Sequence, residues 1–297
     1  MDRLDAMHLF VRIVDLASFT KAADELQLPR ASVSLAVQQL EARLGVRLLQ
    51  RTTRHVSPTV DGQSYYLRCQ QILQDVEEAE GACGGGMLKP RGKIRVDLQG
   101  TQALHFILPH LGEFHARYPD IELEIGLGDR FIDLVREGID CVLRSGEPKD
   151  SSLVGRRVAL LAQVTCASKA YLRRRGQPHT LDEFKTHDAV NYLGANGRSL
   201  PFEFLVQGQK RAVQLRGPVS VNSAYAYTAC CLAGMGFVQV PRYHVQAHLH
   251  SGELCEVFPE WAPAPMPVWV LYPHARHLSP RTRVFIDWVA ECMGRAA

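Results

Sequence analysis

Residues 30–43 read RASVSLAVQQLEAR, and their side chains separate by chemistry once wound on a helix. Arg30, Ala31, Ser32, Leu35, Gln38, Gln39 and Arg43 fall on one side, with Ser34 at its border. Guanidinium, hydroxyl and amide groups with a methyl or two are the contact set that reads base edges in a DNA major groove. The other side carries Val33, Val37, Leu40 and Leu44 at 4-3-4 spacing, which predicts a buried face. Downstream, LGVRLLQRTTRHVSPTVDG gathers Arg47, Arg51 and Arg54 around Thr52, Thr53 and Ser57. From residue 26 to 60 five arginines stand against one glutamate, a local charge of +4 suited to phosphate.

These side chains need a scaffold, and the flanking sequence supplies one. Ser18 can cap a short helix in which Phe19, Ala22, Ala23 and Leu26 share a face, the alanines being small enough for close crossing. Gln27 and Leu28 form a turn, and Pro29 pre-sets φ for the helix that follows. A helix from about Leu4 to Ala17, with Leu4, Met7, Phe10, Val11 and Val14 on one side, would support the pair. Short β segments at Leu48–Leu49 and His55–Ser57 would make a basic wing along the phosphate backbone. A helical hairpin with a polar face, or a solvated basic loop, accounts for either half alone; their adjacency favours DNA. The candidate DNA-contacting set is Ser18, Thr20, Lys21, Arg30, Ala31, Ser32, Ser34, Leu35, Gln38, Arg51 and Arg54.

With those spacings in view, residues 10–62 resemble the winged helix-turn-helix of LysR-type transcriptional regulators. The Ser-Phe-Thr opening, paired alanines, Val33-Ser34, Leu40-Glu41, Leu44-Gly45 and the wing arginines carry the likeness. Pro29-Arg30 replaces the Ser-Gln of many members, and Leu35 stands where many have Arg or another polar residue. The resemblance implies a two-lobed, periplasmic-binding-protein-like effector domain, assembly into dimers and tetramers, and DNA bending.

Composition agrees with a cytoplasmic protein of two or three domains: 297 residues, 46% hydrophobic, 22% charged, net charge +3. No segment approaches the roughly 18 apolar residues of a membrane helix, and the early Asp2, Asp5 and Asp15 argue against a secretion signal. The eight cysteines show no CxxC pair, which favours buried reduced thiols over a redox sensor. His244, His248 and His250 could bind metal from one helix, but no Cys or carboxylate motif completes a site. GxSxG and HExxH motifs are absent, and neither enzyme activity nor a cofactor is expected.

The expected organisation is an α/β chain: residues 1–58 the winged helix-turn-helix; 59–80 a linker helix; 81–92 a flexible linker; and 93–297 the effector domain. Lobe I would comprise about 93–162 and 268–297, lobe II about 163–267. The linker helix carries Tyr65, Cys69, Ile72, Val76 and Ala79 at 4-3-4-3 spacing, which predicts a dimer seam. Strand and helix patterns alternate from residue 93, with helices near 102–117, 129–137 and 280–294, as a parallel α/β fold requires. Ligands of such folds sit beyond strand carboxyl ends, at helix N-termini. Thr101, Arg144, Asn222 and Ser223 are the candidates there, with Thr165 and Phe202 as additions. Convergent donors and a fixed cation suit a small organic acid. Expected partners are double-stranded promoter DNA, that effector, further copies of the chain and, for an activator, RNA polymerase. The alternatives are a binding or transport protein, which would need a secretion signal, and a metal- or thiol-based sensor.

Overall fold

The computed structural model describes residues 1–51, 56–82, 89–129, 132–148, 153–194, 197–273 and 278–295. Its amino-terminal unit comprises α1 (Arg3–Leu16), α2 (Phe19–Glu25), α3 (Arg30–Leu44), β1 (Leu49–Arg51), β2 (Val56–Pro58) and α4 (Val60–Ala82). A reciprocal Asp2–Asp5 capping box starts α1, and Ala17, in the left-handed region, ends it. Phe10, Ile13, Ala22, Ala23, Val33 and Leu40 close one core. Burying each large apolar side chain contributes about 1.5–3 kcal/mol. Two expected core residues lie outside it. Leu44, the last helical residue before the left-handed Gly45 cap, is 38% exposed, and Ala36 is buried instead. Leu4, in the opening turn of α1, is also exposed, while Leu9 and Ile13 are buried.

The expected seam of α4 divides. Cys69 is fully buried in the head's own core and Tyr65 packs on Phe10 with ring centroids 5.5 Å apart. The first half of that stripe is therefore intramolecular, because α1 lies against it. Ile72 and Val76 are half-buried, and the side chain of Ala79 lies outside the description.

The rest of the chain continues through β3 (Gly92–Leu98), α5 (Gly100–Gln102), α6 (Leu111–Arg117), β4 (Ile121–Leu127), α7 (Leu134–Glu137), β5 (Cys141–Ser145) and β6 (Leu153–Leu161). Then come β7 (Gln163–Ser168), α8 (Lys169–Arg175), α9 (Leu181–Phe184), β8 (Asp188–Tyr192), β9 (Phe202–Val206), β10 (Gln209–Val213) and β11 (Arg216–Val221). Last are α10 (Ala224–Leu232), β12 (Val238–Pro241), α11 (Arg242–Ser251), β13 (Leu254–Val257), β14 (Met266–Pro273) and α12 (Pro280–Gly294).

Lobe I is a five-stranded sheet of order β4-β3-β5-β14-β6. It is mixed rather than wholly parallel: β3 runs parallel to β4 and β5, whereas β14 is antiparallel to both β5 and β6. Trp288 and Phe285 of α12 meet Phe114 of α6 over one face. The single helix expected at 102–117 is interrupted. A π turn at Ala103–Ile107 and a 3-10 turn at Leu108–His110 join α5 to α6, with Pro109, which lacks an N–H, inside the 3-10 turn. The helix expected at 129–137 shortens to α7, capped by Asp133.

Lobe II pairs β7 with β12 and β13, and β8 with β11, the two groups meeting at an Ala189–Phe237 bridge. Gly236 makes that junction possible: its φ is +136°, and a Cβ there would stand 2.4 Å from the Asp188 carbonyl oxygen. The lobes exchange chain beside Ala162, whose carbonyl accepts from Arg242 N at 2.8 Å, and near Ala264, whose carbonyl accepts from Gln163 Nε2 at 2.7 Å. Helix α4 docks on lobe I where Gln71 Nε2 donates to Asp140 Oδ1 at 3.2 Å.

Candidate functional site

Two regions converge chemistry: the face of α3 with its wing, and the cleft between the lobes. In the head, the Ser18 hydroxyl accepts from Lys21 N at 3.2 Å and so starts α2. Thr20 is half-buried and Lys21 exposed. Gln27 turns the chain with φ 54°, and Pro29 serves as N-cap of α3, one position earlier than a first helical residue. Arg30, Ala31, Ser32, Leu35, Gln38, Gln39 and Arg43 are exposed and Ser34 is half-buried. Leu35 is 54% exposed, an apolar side chain set among polar ones.

The wing is held by a residue that the sequence gives no structural role, Glu41. Glu41 Oε1 accepts from Leu48 N at 2.8 Å and from Leu49 N at 3.1 Å, fixing the start of β1 against α3. Thr59 closes the other side: its hydroxyl donates to the Arg47 carbonyl at 2.7 Å and accepts from Gly62 N at 2.9 Å. Gly62 passes so close to the Leu48 carbonyl that a Cβ would stand 1.9 Å from its oxygen. β1 and β2 pair antiparallel, with Gln50 opposite Ser57. Arg51 is placed by its backbone in β1, while its side chain and the whole of Arg54 lie outside the described residues. Arg12 ties α1 to α2 by a bidentate pair with Glu25 at 2.7 and 2.8 Å.

Aromatic rings gather where the lobes meet. Thr101, at the start of α5, is buried, and its hydroxyl lies 2.9 Å from the Tyr243 hydroxyl of α11, across the lobes. Tyr243 packs on Phe106 and His105 at 4.6 and 5.0 Å. Opposite, Ser223 is the N-cap of α10 but makes no side-chain cap bond. Asp129, from the segment after β4 of lobe I, caps that helix instead: its Oδ2 accepts from Ala224 N at 3.1 Å. The other oxygen, Oδ1, is buried with no hydrogen-bond partner. Burial pushes the phenol of Tyr192 up to about 12, and the Asp129 charge acts in the same direction. Tyr243 is likewise pushed up to about 12 by burial, against the Thr101 hydrogen bond. Burial lowers the pKa of His244, while Asp129 pulls it the other way.

Thr101 lies on α5, which meets α10 where a Cβ on Gly100 would stand 3.3 Å from the Tyr225 ring, and Asn222 and Ser223 directly precede α10. Arg144 is not an available cation at the cleft. Its guanidinium pairs with Asp97 and donates to the Asp97 and Leu143 carbonyls at 3.2 and 3.0 Å, all within lobe I. Neighbouring strands place Asp97 beside it, a pairing that one strand's sequence does not reveal. Thr165 is buried, and its hydroxyl accepts from Gln239 Nε2 at 2.8 Å. Phe202 is a core residue, packed edge-to-face on Phe184 at 5.2 Å, so no ligand ring can stack on it. Asp129, Tyr192, Tyr225 and Tyr243, which the sequence does not single out, also stand at or just after the carboxyl ends of β4, β8, β11 and β12, as the rule that pointed to Thr101 and Asn222 would place them.

The sensor alternatives fare differently. His248 bonds Glu253 at 2.9 Å while His244 bonds Thr228 at 3.3 Å. Among the described residues, no group of three or more His, Cys, Asp or Glu could hold a metal ion. Burial pushes the thiols of Cys69 and Cys292 up to about 11, and Cys141 rises for the same reason, which leaves little thiolate to react. No described helix is long and apolar enough to cross a membrane.

Comparison with known proteins covers both regions. Residues 4–63 match the model of the bacterial regulatory helix-turn-helix protein, lysR family, and residues 89–293 match the LysR substrate binding domain. The chain is 38% identical over 294 residues to the HTH-type transcriptional regulator YhjC of Escherichia coli, spanning 99% of this chain and 98% of that protein. It is 40% identical to an HTH-type transcriptional repressor of Pseudomonas aeruginosa, over 98% of this chain and 92% of the other. Among solved structures, the LysR-type regulator CrgA of Neisseria meningitidis superposes with TM-score 0.59 at 30% identity, covering 98% of both chains. The full-length virulence activator AphB of Vibrio cholerae gives 0.58 at 26%, covering 98% and 99%.

Proposed function

The chain belongs to the LysR family of transcriptional regulators, and from that premise we propose that α3 reads promoter DNA while the interlobe cleft senses a small organic acid. The DNA reading is carried by one observation: the exposed Arg30, Ser32, Leu35 and Gln38 face of α3 stands beside a wing pinned to the same helix. Arg51 and Arg54 of the wing contact phosphates, and Ser18, Thr20, Lys21, Ala31 and Ser34 complete the footprint. The protein works in the cytoplasm, regulates rather than catalyses, and contacts RNA polymerase if it activates.

The cleft reading is supported by two contacts: α5, which carries Thr101, meets α10 where a Cβ on Gly100 would stand 3.3 Å from the Tyr225 ring, and the Thr101 hydroxyl meets Tyr243 of α11. Backbone donors at the start of α10 and the Thr101 hydroxyl suit a carboxylate, and the rings suit an aromatic or short dicarboxylic acid. Arg144 has no part in this, being neutralised by Asp97. Effector binding then shifts the population between cleft geometries, as it can only if its affinity for the two differs. Calorimetric titration of the full-length protein should find hits among organic acids. Thr101→Val should weaken them about tenfold, the effect of removing one hydrogen bond to a charged group. Hits confined to amines or sugars would end the acid assignment.

The regulator binds as a homodimer, and as a homotetramer when two dimers associate. The distal stripe of α4, Ile72 and Val76, is offered as the dimer contact. Val76→Asp would put a carboxylate into that contact at a cost of several kcal/mol, in order of magnitude, if unpaired. Sedimentation should show a smaller species that shifts operator DNA poorly. An unchanged sedimentation profile would rule out this part of α4 as the contact.

A further inference from the structure

We propose that Asp129 is a built-in surrogate for the effector's acid group, a carboxylate that lobe I lends to α10 and that an incoming organic acid displaces. The inference rests on the acid-sensing reading of the cleft but is argued from contacts of its own. Ala224 N donates to Asp129 Oδ2 at 3.1 Å across the lobes. The residue that would ordinarily cap α10, Ser223, stands at the N-cap with its side chain uninvolved, so Asp129 fills that role from outside. A carboxylate at a helix amino end is favoured by the partial positive charge there, and it draws the two lobes together.

The contact is built to be given up. Asp129 Oδ1 is buried with no hydrogen bond, so only half of the carboxylate is satisfied. Around it stand the rings of Tyr192, Tyr225 and Tyr243. A free acid can take the same N–H groups and turn its second oxygen toward the Thr101–Tyr243 pair. Asp129, once displaced, returns to water and releases the tie between lobes. The exchange is one carboxylate for another, so it selects for acids: an amine would pair with Asp129 and strengthen the closed form, and a neutral sugar would leave the tie in place.

The test uses the full-length protein, Asp129→Ala and Asp129→Asn, with acetate and benzoate as probes. Hydrogen exchange resolved to the first turn of α10 should speed up about tenfold in Asp129→Ala, and less in Asp129→Asn, whose amide oxygen still accepts. Acetate or benzoate should restore the protection in Asp129→Ala by filling the vacated position, and benzoate should bind that variant about tenfold more tightly than wild type. Unchanged exchange in Asp129→Ala, or failure of both acids to restore protection, overturns the surrogate. The two readings fail separately: rescue of the variant with no acid ever binding wild type retains the surrogate and removes the acid effector. Acid binding to wild type that Asp129→Ala leaves untouched does the reverse.

Discussion

Glu41→Ala is expected to abolish operator binding in a mobility-shift assay while α1, α2 and α3 stay folded. The carboxylate takes two backbone donors, Leu48 N and Leu49 N, at the point where the chain leaves α3 for the wing. Leu48 and Leu49 are themselves buried, so alanine leaves both N–H groups without a partner in a site that water enters poorly. Each orphaned donor costs about 1–3 kcal/mol, against a total domain stability of about 5–15 kcal/mol. The wing would detach before the helices melt, because Phe10, Ala22, Ala23 and Val33 do not depend on it. Glu41→Gln keeps an acceptor oxygen and should retain most of the binding. Wild-type affinity in the alanine variant would show that the wing needs no such anchor.

Phe184→Ala should separate sensing from DNA binding. Phe184 is fully buried at the centre of lobe II, with Phe202, Phe204, Phe237 and Phe258 around it at 5.0–5.6 Å, all edge-to-face. Removing it costs about 3–5 kcal/mol through lost burial and the cavity left behind. Scanning calorimetry should show an early transition for lobe II, and the transcriptional response should vanish at growth temperature. The DNA-binding head has a separate core and should keep its own transition. A response that survives this truncation would place the sensing function outside lobe II.

The sequence displayed some of these features and concealed others for a physical reason. The α2–α3 pair was legible because its information is local: a cap, a turn and a helical period within 27 residues, Ser18–Leu44. The strand and helix boundaries beside Thr101, Asn222 and Ser223 were legible for the same reason, since a strand end followed by a helix start is a local pattern. Phe202 and Arg144 misled because their partners are distant: Phe184 fills the space beside the first, and Asp97, 47 residues away, neutralises the second. Asp129 was hidden for the same reason, since its partner Ala224 lies 95 residues further on and in the other lobe. The α4 stripe shows the limit of periodicity itself: a heptad-like spacing marks an apolar face without saying which body covers it, and half of it is covered by α1.

The placement of β14 bears on how the protein is made. Among the described residues it is the last strand in chain order, yet in lobe I it lies between β5 and β6 and is the only partner β6 has in that sheet. A ribosome therefore releases β3 to β6, then all of lobe II, before the strand that joins β6 to the rest emerges. Lobe II is one uninterrupted stretch and can close first, while β5 and β6 wait with unpaired edges that invite association with other nascent chains. Synthesis that stalls before residue 266 leaves a chain whose head can already bind DNA but whose first lobe cannot form. Recombinant yield should therefore suffer more from loss of the last thirty or so residues than their number suggests.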